Sequence, residues 1–396
     1  MTTFRYRILE SRLLITVEDY RRAARRAVPG MVWAYVDGGA EDGVTLQRNL
    51  DAFRRWGLRQ RVLTGVGEPE LSVDVAGVPL SLPVLLAPTG LTGFSHWRGE
   101  LGAAQAAERC GTRAVVSNAA TYSLQEIADA TAERHSFQLY PWGNNRRHMQ
   151  EMLRRAEAGG YHTLYVTVDV PTYGLRETEL RGGLGFPPEL TPRRILAASL
   201  RPRWAYGLVR HKRISLANLL EEPGAKAGIR SVQLQADYLY PDMSWDDLDW
   251  VRSQWQGPVF VKGIMDPEDA EQAVALGVDG IVVSNHGGRQ LESGVGTLDM
   301  LPQIADAVAG RAEVLLDGGV RRGTDIVKAL SLGARAVLVG RPFVYGLAVA
   351  GSDGVAGVLE ILRSELSRTL VLMGCHDVRE LDASWLIQTD PPVRAT

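Results

Sequence analysis

Eight short apolar runs recur along the chain, each ending on a small or polar residue and most followed by a helical pattern. They fall at residues 84–87, 114–117, 136–140, 164–169, 259–262, 280–284, 313–317 and 336–340. Their valines, leucines and isoleucines are continuous rather than alternating, which marks strands buried on both faces, as in a parallel sheet. Amphipathic stretches at 99–109, 123–132, 146–158, 267–275 and 323–332 suit helices that cross over such a sheet with right-handed connections. Eight such units predict an α/β fold, a closed (β/α)8 TIM barrel over residues 84–372. An open doubly wound sheet is the alternative. Polar chemistry at the C-terminal end of nearly every run favours the barrel, whose sites are built there.

Two segments stand outside the repeat. Residues 1–83 carry a helical pattern from Val17 to Ala27 and then Met31-Val32-Trp33-Ala34-Tyr35, and predict an N-terminal helical extension closing one barrel end. Residues 174–243 form a long insertion after the fourth strand, far beyond ordinary loop length. Within it Arg193, Arg194, Arg201, Arg203, Arg210, Lys212 and Arg213 occur with no acid among them, interleaved with Ile195, Leu196, Leu200, Trp204, Tyr206, Leu208 and Val209. A basic amphipathic stretch of this kind fits an anionic membrane surface, with contact through 193–213. A lid or a subunit contact is the competing reading.

Composition narrows the class. The 396 residues carry a formal net charge of -2, which gives no global bias toward nucleic acid, and one large barrel domain over 1–396 accommodates this length. Cys110 and Cys375 lie far apart, so a disulfide framework, a zinc cluster and a CxxC redox site are excluded on count, and no metal is expected. Charges at Arg5, Arg7, Glu10 and Arg12 break any apolar secretion signal. The expectation is a cytoplasmic protein, peripheral on the inner face of the membrane where the insertion touches it.

The strand ends supply the chemistry. In order they offer Pro88-Thr89-Gly90, Ser117-Asn118, Gln138 with Tyr140, Thr167 with Asp169, Lys262, and then Ser284-Asn285-His286-Gly287-Gly288-Arg289-Gln290-Leu291. A histidine three residues before an arginine pairs a base with an anion clamp. The last two loops, Asp317-Gly318-Gly319-Val320-Arg321 and Gly340-Arg341, fall where this architecture holds phosphate. Singly, Lys262 reads as a snorkelling lysine, Asp169 as a helix cap and the Asp-Gly-Gly run as a turn. Together they ask for a planar, phosphorylated, redox-capable or electrophilic cofactor with an acidic substrate above it.

These motifs, with Tyr35 and the following Gly38–Glu41, Arg176-Glu177 and Val261-Lys262-Gly263, closely resemble the FMN-dependent L-2-hydroxy acid oxidases and dehydrogenases over nearly the whole chain. The resemblance implies FMN, a small 2-hydroxy acid as substrate, quinone or oxygen as electron acceptor, and a homotetramer. It implies His286 as base, supported by Asp169, with Arg176, Arg289, Tyr35 and Tyr140 binding the substrate. Lys262 is implied at the N1/C2 edge of the flavin, and Pro88, Thr89, Gly90, Ser117, Gln138, Thr167 and Ser284 around the ring system and ribityl chain. The stretch from Asp317 through Gly318, Gly319 and Val320 to Arg321, with Gly340 and Arg341, is implied to hold ribityl and phosphate.

Three departures refine that picture. Ala119 stands where glycolate oxidase has tryptophan, which predicts a substrate larger than glycolate, lactate- or mandelate-like. Gly90 stands where many oxidases have alanine and the quinone-linked mandelate dehydrogenase has glycine. Glu292 replaces an aspartate after the His-Gly-Gly-Arg-Gln-Leu run, with an expected effect on the arginine's support. Alternatives are an FMN oxidase of a peptide-derived or natural-product intermediate, another phosphate-binding barrel such as an isomerase, and a non-catalytic membrane-associated module.

Overall fold

The computed structural model describes residues 13–141, 146–184, 189–219 and 240–389. Its centre is eight parallel strands, here β1 (Val84–Leu86), β2 (Val115–Ser117), β3 (Ser136–Leu139), β4 (Leu164–Thr167), β5 (Val259–Ile264), β6 (Gly280–Val283), β7 (Glu313–Asp317) and β8 (Ala336–Val339). Each strand pairs with its sequence neighbours, β8 returns to β1 through Val337–Val84, and a bridge between Leu86 and Ala114 links β1 to β2. The barrel is a TIM barrel. β1 to β4 and β6 to β8 are buried almost throughout, as their unbroken apolar runs require. Strand 5 runs two residues beyond its apolar signal, with a register shift between Lys262 and Ile264. Such bulges re-aim side chains near active sites.

Local signals fix the covering helices. Ser123 and Glu126 form a reciprocal capping box at Leu124–Asp129, and Asp266 caps Pro267–Ala275 just before its proline. After β8 comes a continuous stretch, Arg341–Met373, broken by non-helical backbone at Ala350 and Gly351. By length and composition it could cross a membrane, yet 67% of its most apolar window is buried inside the fold, where it packs on Gly99–Arg109, Gly323–Ser331 and Val17–Ala27. It is a core helix of the barrel wall.

The N-terminal extension serves both barrel ends rather than one. The hairpin Val73–Val75/Val78–Leu80 lies at the bottom, where Ala76 N–H donates to the Glu313 carboxylate at the start of β7. Helices Gly30–Asp37 and Val44–Arg54 lie at the top, where Tyr35 and Asn49 reach the catalytic loops. A further strand, Leu386–Gln388, pairs antiparallel with Trp56–Leu58 and ties the end of the fold to its beginning. Neither it nor the hairpin shows in the apolar pattern, because three-residue strands carry too little of it.

The insertion is a fastened subdomain rather than a free loop. It holds helices Glu177–Gly182, Pro192–Ser199 and Pro202–His211; its part over 220–239 lies outside the described residues, as do Arg5, Arg7, Glu10 and Arg12. Trp204 Nε1 donates to the Phe94 carbonyl at 2.6 Å, the His211 ring stacks on Trp97 at 3.9 Å, and Arg213 pairs with Glu126 at 2.9 Å. Those contacts anchor it to the loops after β1 and β2.

Candidate active site

The loop after β6 carries the sharpest geometry. His286 takes left-handed backbone (φ 57°), and its Nδ1 lies 3.0 Å from Asp169 Oδ1, which follows β4. With Nδ1–H donated to the carboxylate, Nε2 holds the lone pair. Burial lowers the imidazole pKa, helped by Lys262 and Arg176; the Asp169 carboxylate opposes it, and the net direction is down from the ordinary value. His286 is therefore a neutral base at pH 7. Asp169 itself is pushed up by burial but pulled further down by His286 and Lys262, so it stays a carboxylate.

Two guanidinium groups flank the histidine. Arg289 is held on one side, with Nη1 donating to the Tyr35 and Gly38 carbonyls at 2.7 and 3.2 Å and Nη2 bonding Glu179 Oε1 at 2.7 Å. Arg176 donates to Gln290 Oε1 at 3.0 Å and packs over Tyr173, and among the described residues it has no salt-bridged carboxylate. Burial and the neighbouring Arg289 lower its pKa. A half-buried guanidinium with no salt-bridged carboxylate of its own can receive an anion. The Tyr35 hydroxyl donates to the Gly90 carbonyl at 2.9 Å, and the buried ring of Tyr140 lines the same cavity.

That cavity, of about 480 Å³, runs from these residues across the barrel mouth. Pro88, Thr89, Gly90, Ser117, Lys262 and Asp317 form its middle, and Gly318, Gly319, Val320, Arg321, Gly340 and Arg341 its far end. Lys262 Nζ sits 2.9 Å from Asp317 Oδ2 and 2.8 Å from Ser284 Oγ, fully buried. Burial pulls the lysine's pKa down, but Asp317 and Asp169 outweigh it and hold the ammonium charged. At the far end Arg341 donates to the carbonyls of Gly287 and Gly38, and burial lowers its pKa to about 10. Neither Arg341 nor Arg321 has an acidic partner among the described residues.

Gln138, Thr167 and Ser284 are set behind this wall instead of opening onto it. Ser117 Oγ donates to Gln138 Oε1 at 2.8 Å, and Thr167 lies beside Lys262 in the sheet register. On the cavity lining the buried Thr92 Oγ1, Ser95 Oγ, Asp317 Oδ1 and Arg341 Nε have no hydrogen-bond partner among the described residues, and behind it neither do Gln138 Nε2 and Thr167 Oγ1. Buried polar groups are nearly always satisfied, so these mark where a ligand with polar ring edges, hydroxyls and a phosphate belongs.

Several participants were not singled out by sequence. Glu179 orients Arg289; its signal was the i+3 spacing from Arg176 at a helix start. Asn49 exchanges amide hydrogen bonds with Asn285 at 2.8 and 2.9 Å and accepts from Thr297 N–H. Glu100 is buried after β1 and accepts from Thr92 N–H, Thr121 N–H and Thr121 Oγ, joining the loops that carry Gly90 and Ala119. Among the described residues Glu292 bonds no arginine. It caps helix Val44–Arg54, accepting from Val44 N–H at 2.6 Å. Gly90 and Ala119 prove to be neighbours, and a Cβ at Gly90 would stand 2.8 Å from the Ala119 methyl.

Known proteins share this sequence and fold. The chain is 42% identical over 378 residues to an L-lactate dehydrogenase of Xanthomonas euvesicatoria pv. vesicatoria, covering 94% of this chain and 96% of the relative. It is likewise 42% identical over 374 residues to an L-lactate dehydrogenase of Pseudomonas paraeruginosa, covering 93% and 97%. Among solved structures, the monotopic membrane protein (S)-mandelate dehydrogenase superposes with a TM-score of 0.91 at 37% identity, over 95% of this chain and all of that one. A putative lactate oxidase of Pediococcus acidilactici gives 0.82 at 31%, over 96% of each. The model of the FMN-dependent dehydrogenases matches residues 24–388, and with His286, Lys262 and the two terminal arginines in place around one cavity, the chain belongs to that FMN-dependent family.

Proposed function

We propose that the protein oxidises an L-2-hydroxy acid to the 2-oxo acid. The observation that carries this reading is the His286–Asp169 contact of 3.0 Å beside Arg176 and Arg289 on one cavity wall, with unsatisfied polar atoms leading from it to Arg341. Asp317, Arg321 and Arg341 would hold the ribityl and phosphate of FMN, and Ser117, backed by Gln138 and Thr167, would meet its ring edge. Bound there, FMN supplies a two-electron acceptor. Arg176 and Arg289 fix the substrate carboxylate, and Tyr35 and Tyr140 bond its polar groups. As the carbinol becomes a carbonyl, His286 Nε2 accepts one proton, the second passes with the electron pair to the bound flavin, and Asp169 stabilises the resulting imidazolium. Lys262 presents fixed positive charge to the ring edge, which favours the reduced, more negative cofactor.

The finer reading is a quinone-linked dehydrogenase lying on the inner membrane face, assembled as a tetramer. Exposed Ile195, Leu196, Leu200, Tyr206 and Val209 beside exposed Arg193, Arg203, Arg210 and Lys212 support it. The test of the chemistry is direct. Purified protein is yellow and bleaches anaerobically on adding lactate or mandelate. His286→Ala keeps the colour and loses turnover by about 10²- to 10⁴-fold, the usual worth of a positioned base. Undiminished turnover in that variant removes His286 from the reaction.

A further inference from the structure

Besides His286 and the arginines, the substrate cavity is lined by Val36, Leu91 and Leu184, all buried, and by the rim leucines Leu175 and Leu180. Both rim leucines line the cavity and yet face solvent, 51% and 55% exposed. A closed aryl pocket would bury them. Next to this rim the Arg194 guanidinium packs against Gly183 and donates to the Arg181 carbonyl, which seats helix Pro192–Ser199 at the end of helix Glu177–Gly182. The apolar rim therefore leads onto Leu190, Ile195, Leu196 and Leu200, each more than half exposed.

Charge sharpens the class. Glu179 neutralises Arg289 inside the cavity, so Arg176 is the substrate-side cation left without an acidic partner among the described residues. One unpaired guanidinium suits one carboxylate. A second carboxylate on the substrate would meet the leucines and the already paired Arg289–Glu179, with no free cation to compensate it.

Building on the hydroxy-acid reading above, we propose that the preferred substrate is a monocarboxylic L-2-hydroxy acid with an extended alkyl chain, whose tail runs over Leu175 and Leu180 toward the amphipathic face of the insertion. The head is held by Arg176, Arg289 and His286 and the tail by the rim. Transfer of each additional methylene from water onto apolar surface strengthens binding by up to about fourfold. That gain falls on KM more than on kcat, because the tail is bound equally in ground and transition states.

The experiment is a kcat/KM series on the FMN-loaded enzyme with an artificial electron acceptor, using unbranched L-2-hydroxy acids from lactate to 2-hydroxydecanoate below their micellar concentrations, with mandelate and malate alongside. We expect kcat/KM to rise about two- to fourfold per methylene through 2-hydroxyoctanoate, and malate to fall below lactate. Leu180→Asn and Leu175→Asn, each checked for flavin content and thermal stability, should flatten the slope. A flat or falling alkyl series with lactate or mandelate turned over overturns the tail assignment and leaves the hydroxy-acid reading standing. Malate exceeding lactate overturns the charge argument. Failure of every acid to bleach the flavin sinks both readings.

Discussion

A base can accept a proton only while its lone pair is bare, so the acidic limb of the pH profile reports the environment of His286. Burial holds its pKa below the ordinary value, and kcat/KM should therefore fall on acidification only below about pH 6.5, the unperturbed histidine value. Asp169 opposes that lowering. Asp169→Asn should move the limb further toward acid while reducing turnover by about 10²-fold or more, because the imidazolium loses its counter-charge. A limb that moves to higher pH would mean that another group is titrating. Glu179 makes the second prediction at this scale. Removing one member of a buried pair leaves the other uncompensated, at a cost of about 3–5 kcal/mol. Glu179→Ala should lower Tm by several degrees, and a bound 2-oxo acid should restore more stability to the variant than to the parent, which differential scanning with and without ligand measures. The candidate loop from Ser284 to Leu291 was legible because its members are adjacent in sequence. Glu179 and Asn49 were not, since each acts on a partner more than a hundred positions away.

At the scale of elements, the eight strands read clearly because burial on both faces forces continuous apolar runs, and their ends shift by a residue or two because hydrogen bonding stops where the loops turn away. The extension was harder to read. Its helices are amphipathic like any others, and nothing in their pattern says that Val44–Arg54 lies against the loops that hold the cofactor. The structure makes that contact tight: Gly319 has φ 86°, and a Cβ there would collide with the Asn49 carbonyl and stand 2.7 Å from the Phe53 ring. Gly319→Ala must therefore displace either the helix or the phosphate-end loop, with backbone strain of about 1–3 kcal/mol added. If the loop yields, FMN retention weakens by about tenfold or more, visible as a fallen flavin-to-protein absorbance ratio in enzyme that remains folded. Full retention would show that this loop does not carry the cofactor.

For the molecule as a whole, the insertion is the surface on which the proposed membrane contact rests. Of the seven basic residues in its 193–213 stretch, two are internal fasteners, Arg194 on Glu189 and Arg213 on Glu126, a division that charge counting could not make. The remaining cations flank exposed apolar side chains on Pro192–Ser199 and Pro202–His211, whose opposite sides are tied to the barrel through Trp204 and His211. A surface anchored from behind and apolar in front can enter a bilayer interface without rearranging the active site. Ile195→Asp with Val209→Asp removes two side chains worth about 1.5–3 kcal/mol each when buried and adds repulsion from anionic lipid. The double variant should lose sedimentation with phosphatidylglycerol vesicles by about 10²-fold or more while keeping its flavin. Raising salt should weaken the parent's binding only in part, because the apolar share is unscreened. If the variant instead keeps its vesicle binding and loses its assembly by light scattering, the same face is a subunit contact, and electrons must leave the flavin by a route that does not depend on the membrane.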